Sequence, residues 1–230
     1  MIRDFLLRLA DFRRDDSLAI RIRLKRIAYF KELISSLPRP LRILDVGGTE
    51  VFWERLGLCD DKSIEVVIIN LRDIETHHPN FKSVIGDARD MHQFKDGEFD
   101  VVFSNSVIEH VGNYENQKRM ADEIKRVGKC YFLQTPNYYF PVELHVLFPF
   151  FQFFPLWLQV FLLRHVSIGW TAKIASKERA IQLIRCCQLL KKKELKELFP
   201  GADIYPEKFM GLIMSYIVVE GWDKQPKVII

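Results

Sequence analysis

LRILDVGGTE, residues 41–50, begins with six mostly apolar residues and ends on an acid, two glycines and a threonine. Residues 41–46 read as a short strand buried on both faces. Asp45 and Gly47-Gly48 then mark the strand's carboxyl end and a tight opening turn. Four more runs of this kind follow: IEVVIIN (64–70), FKSVIG (81–86), FDVVFS (99–104, behind the turn residues Asp96-Gly97) and CYFLQT (130–135). Helical patterns separate several of them, one through Trp53 and Leu56 and one over about 115–127. Strands alternating with helices predict right-handed crossovers and a parallel sheet covered on both faces. The runs ADIYP (202–206) and IMSYIVVE (213–220) are joined by six residues. A parallel crossover needs more, so this pair is expected antiparallel at the sheet edge. The fold class is α/β: a doubly wound, seven-stranded sheet, mostly parallel, with an antiparallel last strand.

Composition narrows the function classes. The 230 residues hold 34 Lys and Arg against 30 Asp and Glu, a net charge of +4. That excess is too small for a protein that tracks a nucleic-acid backbone, and no basic–aromatic interleaving suggests otherwise. No nucleic-acid partner is expected. Cys59, Cys130, Cys186 and Cys187 show no framework spacing and no CxxC. A reducing, cytoplasmic setting without structural zinc is expected. His77-His78 resembles metal bait, but its loop context reads as an exposed turn, and no metal site is assigned.

Residues 1–40 contain ten Lys or Arg and five Asp or Glu and carry helical patterns over about 2–12 and 16–37. They read as an N-terminal helical extension to a domain spanning 41–230. An apolar insertion, 138–170, follows the fifth strand. Within it LHVLFPFFQFFPLWLQVFLL (144–163) has the length of a membrane span, but Pro149, Pro155, Gln152 and Gln159 interrupt it. Two readings stand: a cover over a pocket, or a segment lying in the inner membrane interface as a peripheral contact. Helices near 177–188 and 192–199 precede the late strand pair, and Lys191-Lys192-Lys193 reads as a solvated face.

Parallel sheets bind ligands at the carboxyl ends of their strands. Those ends carry Asp45, Gly47, Gly48 and Thr49, then Asn70, then Asp87 and Ala88, then Ser104, Asn105 and Ser106, then Thr135-Pro136-Asn137. The dinucleotide fingerprint fails, because its second and third glycines are missing, and no P-loop occurs. A ligand of adenosyl type without phosphate suits the set. Asn70 can bond ribose hydroxyls, Asp87 can accept from an exocyclic amine, and Asp45 can take an ammonium.

The succession RILDVGG, VVIINL, VIGDARDM, FDVVFSNSVIEHV and CYFLQTPN resembles a class I S-adenosylmethionine-dependent methyltransferase over about 41–137, closest to the type 11-like group with SNSVIEHV followed by TPN. The resemblance implies a Rossmann-like sheet and S-adenosyl-L-methionine as cofactor. It places Asp45, Gly47 and Gly48 near the methionine part, Asn70 at the ribose position, Asp87 and Ala88 on the adenine side, and Ser104 and Asn105 beneath the methionine moiety. Thr49 stands where the family has a further glycine, and Asn70 where it usually has an acid. Those departures admit a rival reading, a binding or membrane-docking protein on a methyltransferase fold without turnover. For the enzyme, His110 is the candidate base for O-methylation, because its unperturbed pKa is near neutral and it follows the fourth strand. His145, Tyr138 and Tyr139 are candidate liners of the acceptor pocket. The acceptor is expected to be a small molecule or linked to lipid or glycan. The oligomeric state is not legible.

Overall fold

The computed structural model describes residues 18–169 and 171–223, with the side chains of 18–22 left aside. The helix expected over 2–12 lies outside the described residues. The chain runs through helix α1 (Leu18–Ser35), β1 (Leu41–Val46), α2 (Glu50–Leu56), β2 (Ile64–Asn70), β3 (Phe81–Ile85) and β4 (Phe99–Asn105). A 3-10 turn (Ile108–His110), α3 (Tyr114–Val127) and β5 (Gly128–Pro136) follow. After the short strands β6 (Val142–Glu143) and β7 (Phe148–Pro149) come α4 (Leu156–His165), α5 (Lys177–Arg185), α6 (Lys192–Leu198), β8 (Asp203–Phe209) and β9 (Leu212–Glu220).

Seven strands form one sheet in the order β3-β2-β1-β4-β5-β9-β8. The first five are parallel to their neighbours, and β9 is antiparallel to both β5 and β8. The expected sheet is the observed one. The late strands run longer than their sequence signal, so only Met210 and Gly211 join them, both at positive φ (48° and 83°). Two such residues match the twist of a tight hairpin.

Aliphatic residues in β1 and β2 and β-branched and aromatic ones in β4 leave nearly every side chain buried. One face packs under α1 and α2, where Phe30, Trp53, Phe103 and Phe132 lose all or nearly all solvent contact. Phe103 and Phe132 stack at 5.5 Å across β4 and β5, and Phe30 meets Phe103 at 4.6 Å. The other face packs under α3 and α6 through Met120, Ile124, Leu195 and Leu198. Sheet order reverses between β1 and β4, whose crossovers leave on opposite faces. A crevice therefore opens above their carboxyl ends.

The segment between β5 and α6 has its own small core of Val146, Phe151, Val160, Leu163, Ile168 and Ala180. It is anchored at its start by Asn137, which donates to the Ile213 carbonyl (2.8 Å) and accepts from the Tyr139 N–H (3.1 Å).

A buried ion pair ties α1 to the far side of the sheet. Arg26 donates to both Glu207 carboxylate oxygens (2.8 and 2.7 Å) and to Asn105 Oδ1 (2.6 Å), and Ser215 also donates to Glu207. Glu207 is fully buried. Removing one partner of such a pair leaves a charge without solvent or counter-ion, a loss of about 3–5 kcal/mol, whereas an apolar replacement of both costs much less. Arg26→Ala is therefore expected to lower the urea midpoint strongly. Arg26→Met combined with Glu207→Met should recover most of that loss in the same measurement.

Candidate active site

The β1 end is built around a carboxyl. Asp45 is 1% exposed, its Oδ2 accepts from the Trp53 indole N–H (2.7 Å), and its Oδ1 has no partner. A Cβ on Gly48 would lie 1.9 Å from Asp45 Oδ2, so only glycine fits above the acid. Gly47 sits at φ 74°, with Val107 methyls 2.8 Å from where its Cβ would be. Burial raises the Asp45 pKa to about 7, against the Trp53 hydrogen bond, which favours the ionised form.

The β2 end carries Asn70, whose Oδ1 accepts from the Leu71 N–H (2.8 Å) and whose amide donates weakly to the Gly48 carbonyl (3.4 Å). The β2–β3 loop is latched elsewhere. Glu50, at the start of α2, accepts from the N–H groups of His77 and His78 at 2.9–3.1 Å. Burial opposes ionisation of Glu50, but those donors hold its pKa below the ordinary value. The His77 ring is two-thirds exposed. After β3, Asp87 pairs with Arg89 through several contacts of 2.5–3.0 Å, which lower its pKa.

The β4 end divides its residues. Ser104 is buried with an unpartnered hydroxyl, Asn105 serves Arg26, and Ser106, half-buried at φ 56°, donates to Gln134 Oε1 (2.8 Å). Next comes Glu109, fully buried. Its Oε2 accepts from Thr135 (3.0 Å) and its Oε1 has no partner. Burial raises its pKa to about 7. His110 follows, with Nδ1 3.3 Å from the Cys186 carbonyl. Burial, then the neighbouring His145, push the His110 pKa down.

Two cavities meet at His110, and a third, of about 520 Å³, lies beside Asp87 and Arg89 at the β3 end. Of the two that meet, one, of about 290 Å³, is lined by Gly47, Asn70, Asp87, Ala88, Ser106 and His110 among others. The other, of about 410 Å³, lies under the insertion and is lined by His110, Tyr138, Glu143, His145, Phe151 and Cys187 among others. The first brings five of the expected site residues together. It leaves Asp45, Gly48, Ser104 and Asn105 off its lining. Tyr139 points away and is 61% exposed, and Lys191 lies over the Tyr138 ring at 5.2 Å. Sequence reading passed over Arg89, and it took Glu109 only together with His110, without a role of its own. Arg89 follows Asp87 by two positions, the spacing of a local turn pair. Burial of Glu109 depends on the Thr135 contact between separate strands' ends and gives no local signal.

Among the described residues, the buried, unpartnered Asp45 Oδ1 and Ser104 hydroxyl and the bare Gly47-Gly48 backbone fit a cationic, closely approached ligand such as S-adenosylmethionine. Asp45 also sets a pH dependence. Its pKa is higher folded than unfolded, so its contribution is full below about 4 and lost as pH rises through about 7, amounting to a few kcal/mol at most. Stability of the ligand-free protein, read as urea midpoint against pH, should fall across that window relative to Asp45→Asn.

Comparisons agree with this geometry. A family profile described as methyltransferase domain matches residues 59–130. No curated protein matches the chain significantly. Among solved structures, a SAM-dependent methyltransferase from Methanosarcina mazei is similar at 14% identity and a TM-score of 0.51, covering 82% of this chain and 95% of that one. The CurJ carbon methyltransferase is similar at 12% identity and a TM-score of 0.53, covering 85% of this chain and 53% of that one. The N-terminal domain of EvdMO1, solved with SAH and D-fucose, is similar at 15% identity and a TM-score of 0.50, covering 84% and 80%. These likenesses show a shared fold. Over residues 59–130 the chain is similar to a methyltransferase domain, on a fold it shares with solved methyltransferases.

Proposed function

We propose that the protein methylates an oxygen of a small acceptor, or of one linked to lipid or glycan. The observation that carries this reading is that His110 lines both cavities, standing between the strand-end crevice and the space under the insertion.

Asn70 would meet the cofactor's ribose, Asp87 and Ala88 its adenine side, and Gly47 and Gly48 would leave backbone open to it. Asp45 and Ser104 would sit beneath its methionine end, with Asn105 at the edge. When bound, S-adenosylmethionine supplies a methyl group on a sulfonium, so the protein has chiefly to align the acceptor and keep water out. The Cys186 carbonyl beside His110 Nδ1 favours a proton there, which leaves Nε2 to take the acceptor's hydroxyl proton.

The second cavity has an apolar side in Val146, Phe151 and Leu163. The same insertion exposes Phe150, Phe153, Trp157 and Phe161, with Trp157 71% exposed. Both features support an acceptor with an apolar part, presented at a membrane surface. No helix among the described residues is long and apolar enough to cross a membrane.

The test combines calorimetry with label transfer. S-adenosylhomocysteine should bind the wild type in the micromolar range and bind Gly47→Val at least about tenfold more weakly, since the added side chain meets Val107. Methyl-labelled cofactor, incubated with membrane-lipid and glycan extracts, should label one of those fractions. His110→Asn should keep S-adenosylhomocysteine binding and lower labelling about 10²-fold or more. Labelling unchanged in His110→Asn would remove the base. A folded wild type that binds no S-adenosylhomocysteine would remove the whole reading.

A further inference from the structure

Three metal-ligating side chains converge where the insertion meets the sheet. His110 comes from the 3-10 turn after β4, His145 from the loop between β6 and β7, and Cys187 from the residues just after α5. One ligand atom from each lies within 4.8 Å of the other two. Cys187 Sγ is 3.7 Å from His145 Nε2 and 3.2 Å from its Nδ1, and the two imidazoles meet edge to face at 4.8 Å. For a tetrahedral zinc bound at about 2.3 Å to sulfur and 2.0–2.1 Å to nitrogen, a sulfur and a nitrogen ligand stand about 3.5 Å apart. The Sγ–Nε2 distance is near that value, but Sγ stands nearer Nδ1, so loading the site requires the Cys187 side chain or the His145 ring to rotate.

The surroundings are arranged as they are around bound metals. Glu143 Oε1 lies 2.7 Å from His145 Nδ1, and its Oε2 accepts from the Val146 N–H at 2.7 Å. A carboxylate on one ring nitrogen fixes the imidazole and leaves the other nitrogen's lone pair for a metal. The Cys186 carbonyl does the same at His110 Nδ1, 3.3 Å away. The Cys187 strip is held by its neighbour: the Gln188 N–H donates to the Glu109 carbonyl (2.7 Å) and the Gln188 carbonyl accepts from Gln117 Nε2 (2.7 Å). Gln117 also donates to the Ile108 carbonyl at 3.2 Å, so the turn carrying His110 and the segment carrying Cys187 share one clamp. The cluster opens onto the 410 Å³ cavity, which gives an ion a way in.

We propose that His110, His145 and Cys187 form a binding site for a divalent transition metal, with Zn²⁺ the best match to two imidazoles and a thiolate. Binding releases the Cys187 proton to solvent and forms a metal–sulfur bond, with no redox change. Three protein ligands leave a fourth position facing the cavity. The other cluster of this kind among the described residues, Glu50, Glu54 and His78, is spoken for, because Glu50 already holds the His77 and His78 N–H groups. The proposal does not rest on methyl transfer. A metal on His110 Nε2 would occupy the lone pair proposed for the acceptor's proton, so the two uses of the site exclude one another.

The test is titration of untagged, chelator-treated protein with Co²⁺, slightly above neutral pH, followed by displacement with Zn²⁺. A single equivalent should bring up a thiolate-to-cobalt charge-transfer band with the visible bands of four-coordinate cobalt, and one equivalent of Zn²⁺ should bleach both. Cys187→Ser should lose the charge-transfer band, and Cys186→Ser, which alters the exposed neighbouring thiol, should keep it. Glu143→Gln should keep the band and weaken binding about 10- to 100-fold. His145→Gln, checked for an unchanged circular dichroism spectrum, should lose stoichiometric binding and serves as the second probe if Cys187→Ser does not fold. No charge-transfer band in the wild type, or full binding by folded His145→Gln, overturns the proposal.

Discussion

Asp45 is a carboxyl with no room above it and one bond below it. The indole of Trp53 satisfies one oxygen, and Gly48 lies so close that any side chain there would displace the acid. The constraint reaches outward in both directions. Downward, it fixes Trp53, which packs edge-on to Phe30, Phe52 and Phe103 and so sets α1 and α2 on the sheet. Upward, it holds the glycine turn flat against β2, with the Gly47 N–H on the Ile69 carbonyl at 2.8 Å. An unpaired buried carboxyl costs several kcal/mol if ionised, which is why this one rests near neutrality in the absence of a ligand. A cationic group arriving beside the free oxygen reverses that preference. The same residue is thus a weakness of the fold that only a cation beside its free oxygen would relieve.

The Arg26–Glu207 pair solves a different problem. Strand β8 sits at the sheet edge, and α1 covers the middle of one face. A fully buried bidentate pair joins the two and takes in Asn105 from the β4 end. Its net stabilisation is small beside the apolar burial of Phe30 and its neighbours. Its geometric effect is larger, because three distant segments must be in register before either charge is satisfied.

Much of this was legible in the chain. The β-branched runs at 41–46 and 64–70 coincide with β1 and β2, because strands buried on both faces need continuous apolar sequence. Strand ends in a parallel sheet collect ligand-facing residues, so Gly47, Asn70, Asp87, Ala88 and His110 could be picked out and do line one cavity. What stayed hidden depends on contacts between distant segments. Asn105 reads as a strand-end residue, and nothing near it in sequence announces its hydrogen bond from Arg26. The late hairpin is tighter than its apolar runs suggest, because main-chain pairing resumes beyond a register shift at Glu207/Lys208 and runs on to Phe209 and Leu212. His145 and Cys187 carry no metal spacing. They meet only because the insertion folds back over the turn at His110.

The insertion's own apolar cluster has an evolutionary corollary. Val146, Phe151, Val160, Leu163, Ile168 and Ala180 pack chiefly on one another, not on the sheet. Mutations among them reshape one wall of one cavity and leave the strand ladder and the glycine turn untouched. Selection can therefore reshape that cavity without renegotiating how the sheet folds, and the segment can be exchanged as a unit between chains of this fold.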